Sequence, residues 1–169
     1  TQKAPMVFLE AIKNIQDAGI PYEAQIIGDG ELKSKMKEYT AKNNLQHVSF
    51  RGKLSHAAVL ESLSHANLLV STSESEGMSL AILEAISSGV YVIATDVSGN
   101  NKMIIDNING NIVPCNQSKL TADKIADFYQ NKLLNNYTYP EDYTKRLTDL
   151  FSWEKICKQY EALFMEIIH

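Results

Sequence analysis

The amino-acid sequence predicts an α/β domain built on a parallel sheet with helices on both faces. Short apolar runs suited to buried strands alternate along the chain with longer segments in which apolar residues recur at helical spacing. Apolar strands of this kind are typical of a parallel sheet that is covered on both faces. Such a sheet binds its ligands beyond the carboxyl ends of its strands, so the segments that leave those ends are where we expect a site.

Start and stop signals support the individual elements. Pro5 suits a first helical position, Gly19 ends the first helix, and Ser55 and Ser152 are candidate N-caps. Residues 135–140 are expected to form a loop between the sheet layer and a closing helix pair. Helices are predicted over residues 5–18, 31–43, 55–65, 79–88, 118–132 and 152–168, and strands over residues 22–27, 48–50, 67–71, 91–95 and 111–113.

The composition excludes several classes of protein. The chain has 169 residues, 44% of them hydrophobic and 21% charged, which suits one soluble domain with a single core. Its net charge of −4 argues against nucleic-acid binding, and no apolar run approaches the roughly 18 residues of a membrane span. Cys115 and Cys157 are too few for a disulfide scaffold and are expected to be buried small hydrophobes. The chain begins without Met and shows no signal peptide, so we expect a cytoplasmic fragment of a longer protein.

Two glycines follow the strand predicted over residues 22–27. In Gly28-Asp29-Gly30 the backbone could approach a ligand closely, because glycine has no side chain to keep it away. The dinucleotide-binding fingerprint needs a third glycine three positions further on, where Lys33 stands, and the phosphate-loop pattern is absent as well. A tight turn between a strand and a helix explains the segment equally well, and both interpretations stay open.

A polar loop and an almost wholly apolar helix follow the strand at residues 67–71. The helix over residues 79–88 is hydrophobic nearly all round, which is typical of a buried helix. Glu84 lies in its interior, and the chain has no Lys or Arg between Lys53 and Lys102. A buried carboxylate without a partner is costly. Either a distant base pairs with Glu84, or the helix edge is solvated, or ligand hydroxyls donate to the carboxylate, and we favour the last.

Glu76 precedes Glu84 by eight residues and lies just before the same helix. Eight residues span roughly 12 Å of helix axis, about the distance from a ribose past a diphosphate to a sugar. The helix N-terminus between the two glutamates is an anion site, and Gly77 allows the backbone to come close there. A carboxylate at each end and a diphosphate at the helix terminus would fit a nucleotide-sugar.

These segments resemble the retaining glycosyltransferases of family 4, which have the GT-B fold. Glu76-Gly-Met-Ser-Leu-Ala-Ile-Leu-Glu84-Ala-Ile-Ser-Ser-Gly89 is similar to the Glu-x(7)-Glu signature of that family, and residues 66–73 and 90–96 look like its flanking strands. The resemblance covers nearly the whole chain and implies a Rossmann-like parallel sheet, the C-terminal half of a GT-B enzyme. Further segments that match in order and spacing are residues 28–31, 48–52, 109–114 and 151–153.

The resemblance also implies roles for the matched residues. Glu76 would meet the hydroxyls of the donor sugar, and Glu84 would bind the ribose hydroxyls. Lys3 would contact the donor phosphates and stabilise the charge on the departing nucleoside diphosphate, unless it is a terminal lysine without a role. Glu76 and Lys3 are thus the candidate catalytic residues. The candidate donor-binding residues are Gly28, Gly30, Arg51, Gly52, Gly77, Met78, Ser79, Leu80 and Glu84, with Arg51 and Gly52 beside the nucleobase and residues 77–80 binding through backbone amides.

The chain departs from the family in three ways. Tyr91 stands where the family usually has a proline, and we expect no mechanistic consequence. A strand and an arginine that precede the lysine in the family are missing, and this first strand is normally central in the sheet, so its absence bears on local packing and phosphate binding. The N-terminal acceptor domain is missing too. Residues 1–169 are therefore expected to be a single nucleotide-sugar-binding domain, the donor half of the enzyme.

The activity that the resemblance implies is transfer of a sugar from a nucleotide-diphosphate sugar to an acceptor hydroxyl with retention, in cell-surface polysaccharide or glycolipid synthesis. No cofactor or metal is implied, because the chain has no Asp-x-Asp carboxylate pair. A sugar or lipid-linked acceptor would bind through the missing domain, which could also hold the enzyme at the inner face of the membrane. The alternatives are a non-catalytic nucleotide-binding module and a GT-B-type sugar epimerase.

The remaining polar residues carry weaker signals. His47, His56 and His65 have no ligand spacing and are expected to be structural or surface residues. Asp96 follows a strand and either lines the cleft or caps a turn. Glu74 is expected to be solvated.

Overall fold

The structure is a computed structural model that describes residues 2–150 and 152–168. Helices and strands alternate through most of this part of the chain, as the sequence predicts. A single π-helical turn and a 3₁₀ turn, residues 128–135, extend α6. In chain order the elements are α1 (Pro5–Asp17), β1 (Ala24–Ile27), α2 (Lys33–Lys42), β2 (Val48–Gly52), α3 (His56–Ser64), β3 (Leu68–Ser71), α4 (Leu80–Ser87), β4 (Tyr91–Thr95), α5 (Asn100–Met103), β5 (Gly110–Val113), α6 (Ser118–Asp127), α7 (Glu141–Leu150) and α8 (Trp153–Ile168).

Helix capping explains why several predicted boundaries are confirmed. The Ser55 hydroxyl accepts a hydrogen bond from the Ala58 amide at 3.3 Å, and the Ser152 hydroxyl accepts one from the Lys155 amide at 3.4 Å. Pro5 begins α1. The short helix α5 was not expected, because its four residues are too few to show a helical period.

All strands pair in parallel, as predicted, but they form two sheets. β1 pairs with β2, and β3, β4 and β5 pair in that order. In the larger sheet, the side chains of β4 alternate between two helical layers. Tyr91 and Ile93 pack with residues of α1 and α6, while Val92 and Ala94 pack with residues of α3 and α4. This arrangement confirms the expected covering of both faces.

A cleft of about 1260 Å³ separates the two sheets, with residues of β1 on one side and of β3 on the other. α1 contributes Phe8, Ile12 and Ile15 to its lining, and α3 contributes Ala58 and Leu63. β3 is apolar yet only partly buried along its length, whereas β4 is buried at all five positions. The cleft thus lies between the edge of β1 that faces away from β2 and the edge of β3 that faces away from β4.

The division of the sheet has a consequence for hydrogen exchange. β4 is hydrogen-bonded to a strand on each side, but among the described strands β3 is bonded only to β4. The alternate β3 amides that face the cleft are therefore expected to exchange much faster than any amide of β4, because local opening is not needed to expose them. Hydrogen exchange followed by NMR on residues 1–169 measures this. Equal protection along both strands would show that something covers the free edge of β3.

Tyr91, the residue in place of the usual proline, is a core residue. Its side chain is 1% exposed and stacks on Phe128 with ring centroids 4.9 Å apart. The hydroxyl lies 3.0 Å from the Gly110 carbonyl oxygen and 2.9 Å from Asn111 Oδ1, and burial raises the pKa of the phenol well above its usual value. The tyrosine thus ties β4 to the start of β5.

Some expectations about the second half of the chain are wrong. Cys115 is only half-buried, in the turn after β5, and Cys157 is exposed on α8, so neither is a core residue. Exposure follows from the position of α8, which packs against α7 and leaves Tyr160 and Phe164 more than half exposed. Phe151, in the matching segment 151–153, lies outside the described residues.

Candidate functional site

The carboxyl end of β3 leads into a loop that the start of the chain supports. The Thr72 hydroxyl lies 3.2 Å from the Lys3 carbonyl oxygen and 3.1 Å from that of Ala4. The Glu74 amide donates to the Gln2 carbonyl oxygen at 2.8 Å. These bonds hold residues 2–4 beside the loop, although about 70 residues of sequence separate the two segments.

Glu76 and Lys3, the two candidate catalytic residues, form an ion pair in this loop. The Ser73 hydroxyl donates a second hydrogen bond to the same carboxylate oxygen at 2.8 Å. The Glu76 side chain is 10% exposed, while that of Lys3 is 67% exposed. Burial by itself would raise the pKa of Glu76, but the bonds from Lys3 and Ser73 and the lysine charge outweigh it, so the pKa lies below its usual value. Glu76 is therefore an anion at neutral pH.

α4 begins directly after this loop. Its first amides have no acceptor within the helix, and no backbone acceptor among the described residues takes the N–H groups of Gly77, Met78 or Ser79. The Ser79 side chain is buried and makes no capping bond. The start of α4 therefore offers a group of unpaired donors beside Lys3, which is suited to an anion.

The expectation that α4 is buried all round is wrong at its first turn. Leu80 is 63% exposed and Met78, just before the helix, is 46% exposed. Ile82, Ala85 and Ile86 are fully buried against the larger sheet. Ala81 and Ser87 are exposed as well, so α4 has one buried face. The sequence could not single out the exposed face at Leu80 and Ala81, because the residues there are as apolar as the buried ones and only the packing partners differ.

Gly99, which the sequence-based predictions missed, fixes the position of the site loop. It has a φ of +93°, and a Cβ atom there would collide with the Gly77 carbonyl oxygen. The turn after β4 therefore packs directly on the backbone of the glutamate loop, in a conformation that favours glycine. In the sequence, Gly99 is recognisable only as a glycine shortly after a strand, and that position does not indicate which segment packs against it.

Glu84 has a protein partner, so the alternative of a distant base, which we did not favour, describes the carboxylate in this structure. His56 Nε2 lies 3.0 Å from Glu84 Oε1, and the Glu84 side chain is 24% exposed. His56 is exposed, in agreement with the expected surface position, but its contact with Glu84 was not predicted. The pairing joins residues 28 positions apart, so neither the helical neighbours of Glu84 nor the spacing of the histidines could reveal it.

The glycines of the smaller sheet form a separate group. The Gly28 amide donates to the Gly52 carbonyl oxygen at 2.7 Å, and both residues have positive φ angles, +123° and +68°. The Gly30 amide donates to Asp29 Oδ1 at 3.1 Å, a local bond typical of a tight turn. Arg51 is exposed and lines the cleft between the sheets. Among the described residues, no hydrogen bond joins this group to Glu76 or Glu84.

The other polar residues stand apart from these two groups. Asp96 accepts a hydrogen bond from the Asn101 side chain at 2.7 Å, in agreement with a role in a turn. Glu74 is exposed as expected and accepts one from the Asn116 side chain at 2.8 Å. Over residues 2–150 and 152–168, no group of three His, Cys, Asp or Glu side chains comes together as metal ligands, and no helix has the length and apolarity to cross a membrane.

The fold and this site define a class of protein. A parallel α/β sheet with unpaired helix amides beyond the end of β3, a lysine and a glutamate beside them and a second glutamate in the middle of α4 is an arrangement suited to an anionic ligand. The chain belongs to the family described as glycosyl transferases group 1, whose model matches residues 1–146.

Two curated relatives agree with this assignment. An uncharacterized glycosyltransferase of Methanocaldococcus jannaschii is 32% identical over 166 residues, which are 96% of this chain and 45% of that protein. The UDP-Gal:alpha-D-GlcNAc-diphosphoundecaprenol alpha-1,3-galactosyltransferase of Escherichia coli is 28% identical over 151 residues, 80% of this chain and 39% of that protein. The chain thus spans less than half the length of both relatives.

Solved structures confirm the predicted fold. A point mutant of the TarM protein of S. aureus, solved in complex with Fondaparinux, alpha-GlcNAc-glycerol and UDP, superposes with a TM-score of 0.82 at 26% identity. The match covers 97% of this chain and 33% of TarM.

Proposed function

We propose that this chain is the donor-binding half of a retaining glycosyltransferase that takes its sugar from a nucleoside-diphosphate donor. The observation that carries the proposal is the arrangement around α4. Lys3, Glu76 and the unpaired amides lie together at its start, and Glu84 lies further along the same helix. Glu76 lies four residues before Leu80, the first residue of α4, and Glu84 lies four residues after it, so the two carboxylates flank the start of the helix along the chain.

Each group has a place in this scheme. The diphosphate lies at the amides of residues 77–80, where the helix terminus favours an anion. Glu84 accepts hydrogen bonds from the ribose hydroxyls, and Glu76 accepts them from the sugar. Gly28, Gly30, Arg51 and Gly52 border the nucleobase. The E. coli relative is named for a UDP-linked donor, and the TarM structure contains UDP, which supports a nucleoside diphosphate as the ligand.

The ion pair between Lys3 and Glu76 suits the chemistry. In transfer, the bond from the anomeric carbon to the diphosphate breaks and a bond to the acceptor oxygen forms, while the proton of the acceptor hydroxyl passes to an oxygen of the departing diphosphate. Negative charge grows on the diphosphate and positive charge on the sugar. The Lys3 ammonium is largely exposed, so it can turn to the diphosphate and stabilise the negative charge there. The ionised Glu76 stabilises the positive charge on the sugar.

The acceptor and its membrane context belong to the same proposal. We place the acceptor, a sugar or lipid-linked sugar, on an N-terminal domain of the full-length protein, in cytoplasmic synthesis of cell-surface polysaccharide or glycolipid. The diphosphoundecaprenol in the name of the E. coli relative supports a lipid-linked acceptor of this kind.

Titration calorimetry tests the proposal with UDP, GDP and ADP and with UDP-glucose, UDP-galactose and UDP-N-acetylglucosamine. Residues 1–169 are expected to bind one of the diphosphates with micromolar to millimolar affinity and to transfer no sugar, because the acceptor site lies outside them. The full-length protein is expected to transfer from a donor with the same base. If neither protein binds any of the diphosphates, the proposal is contradicted. Sugar transfer by residues 1–169 alone would contradict the placement of the acceptor site outside these residues.

A further inference from the structure

His56, to which the proposed function gives no role, pairs with Glu84. His56 is the first residue of α3, and Glu84 lies in the middle of α4. The two helices pack together through a common apolar cluster that includes Leu63, Ile82 and Ile86. The separation of 3.0 Å between Nε2 and Oε1 is thus set by packed elements rather than by a mobile loop.

The start of α3 is itself held in place. The Ser55 hydroxyl caps the helix by accepting from the Ala58 amide, so the backbone that carries the imidazole has a defined geometry. Lys53 and Lys102, the nearest cations before and after Glu84 in sequence, make no ion pair with it among the described residues. His56 is the group that meets this carboxylate in the described part of the chain.

The exposure of the two side chains shows how the pair is arranged. The His56 side chain is 71% exposed and that of Glu84 is 24% exposed, so the carboxylate is the more buried partner of a pair at the surface. The bond engages Oε1 only, and no described donor reaches Oε2. A glutamate side chain left free would populate several rotamers, and ordering it on binding would weaken affinity.

We propose that His56 is a positioning residue that holds the Glu84 carboxylate ready for the ribose hydroxyls of the donor. His56 donates from Nε2 to Oε1 and fixes the rotamer, which leaves Oε2 and the second lone pair of Oε1 for the ribose. The inference rests on the proposed function, because it takes Glu84 as the ribose ligand. It assigns His56 no contact with the nucleotide.

The test separates ribose recognition from general binding. UDP and 2′,3′-dideoxy-UDP are titrated into residues 1–169 and into His56→Ala, Glu84→Ala and the double variant. His56→Ala is expected to weaken UDP binding about threefold to tenfold, the effect of one hydrogen bond, and to leave dideoxy-UDP binding unchanged. In the Glu84→Ala background the same change is expected to have no further effect, and His56→Gln, which keeps a donor, should recover part of the affinity.

Two controls guard against a trivial explanation. His65→Ala alters an exposed histidine at the other end of α3 and should change neither affinity. The unfolding midpoint of His56→Ala should equal that of the parent, because the side chain is mostly exposed.

The outcomes that would overturn the inference differ from one another. Tighter UDP binding by His56→Ala would mean that the histidine blocks Glu84 instead of positioning it. Equal weakening of both ligands would mean a direct contact with the base or the phosphates. If Glu84→Ala weakens the binding of UDP but not of dideoxy-UDP, and His56→Ala weakens neither, the positioning role alone fails. If Glu84→Ala changes the affinity for UDP and for dideoxy-UDP by the same factor, or if the parent chain binds neither ligand, the proposed function fails and this inference with it.

Discussion

Glu76→Gln in the full-length protein is expected to lower sugar transfer by about 10²- to 10³-fold, the usual effect of removing one transition-state electrostatic group. Gln keeps the size of the side chain and its bond from Ser73 but removes the charge that faces the developing positive sugar. Donor binding should fall much less than the rate, because the contact tightens mainly in the transition state. UDP binding should not weaken at all, since the bare diphosphate does not reach Glu76 and Lys3 loses its competing partner.

Steady-state kinetics and calorimetry with UDP and the UDP-sugar measure these effects. Glu74→Gln is the matched control, because Glu74 lies in the same loop but is exposed and contacts only Asn116 among the described side chains. It should leave transfer and binding near the parent values. If Glu76→Gln lowers the affinities for UDP and for the UDP-sugar equally, Glu76 does not contact the donor sugar.

Gly99→Ala is expected to destabilise the domain by about 1–3 kcal/mol and to weaken UDP binding by at least about tenfold. The backbone strain follows from its φ of +93°, which an alanine adopts at a cost. The new methyl group would in addition collide with the Gly77 carbonyl oxygen, so the loop that carries the unpaired amides must move. A displaced helix terminus loses the directed donors on which diphosphate binding depends.

Gly19→Ala provides the comparison that separates strain from displacement. Gly19 also has a positive φ, +67°, but a Cβ atom there meets nothing within 4 Å. It follows α1, so its substitution should lower the free energy of unfolding by about 1–2 kcal/mol and leave UDP binding unchanged. Urea unfolding and calorimetry give both quantities. If Gly99→Ala binds UDP as tightly as Gly19→Ala does, the contact between the two loops does not shape the site.

Much of the site could be predicted because its residues are close in sequence. Glu76, Gly77, Ser79 and Glu84 lie within nine residues, in α4 and the short loop that leads into it, so the chain itself keeps them near one another. The fold class could be predicted for a similar reason. The apolar pattern of each strand and helix is local, and the alternation of the two element types restricts the sheet to a parallel one.

Contacts between distant segments could not be predicted. The partner of Glu84 comes from another helix, the support of Gly77 comes from the turn after β4, and Leu80 is exposed because nothing among the described residues packs over it. Each depends on which surfaces meet when the chain folds, and the residue types alone are compatible with several outcomes.

By itself, the sequence determined the α/β class, the order of the elements and the candidate glutamates, because these depend on local periodicity and spacing. Only the tertiary structure decided that the sheet divides at β3, that Lys3 pairs with Glu76 and that His56 pairs with Glu84. The physical reason is the same in all three cases. Whether a strand edge or a polar side chain finds a partner depends on what lies next to it in space, and for the two side-chain pairs those neighbours lie 28 and 73 positions away along the chain.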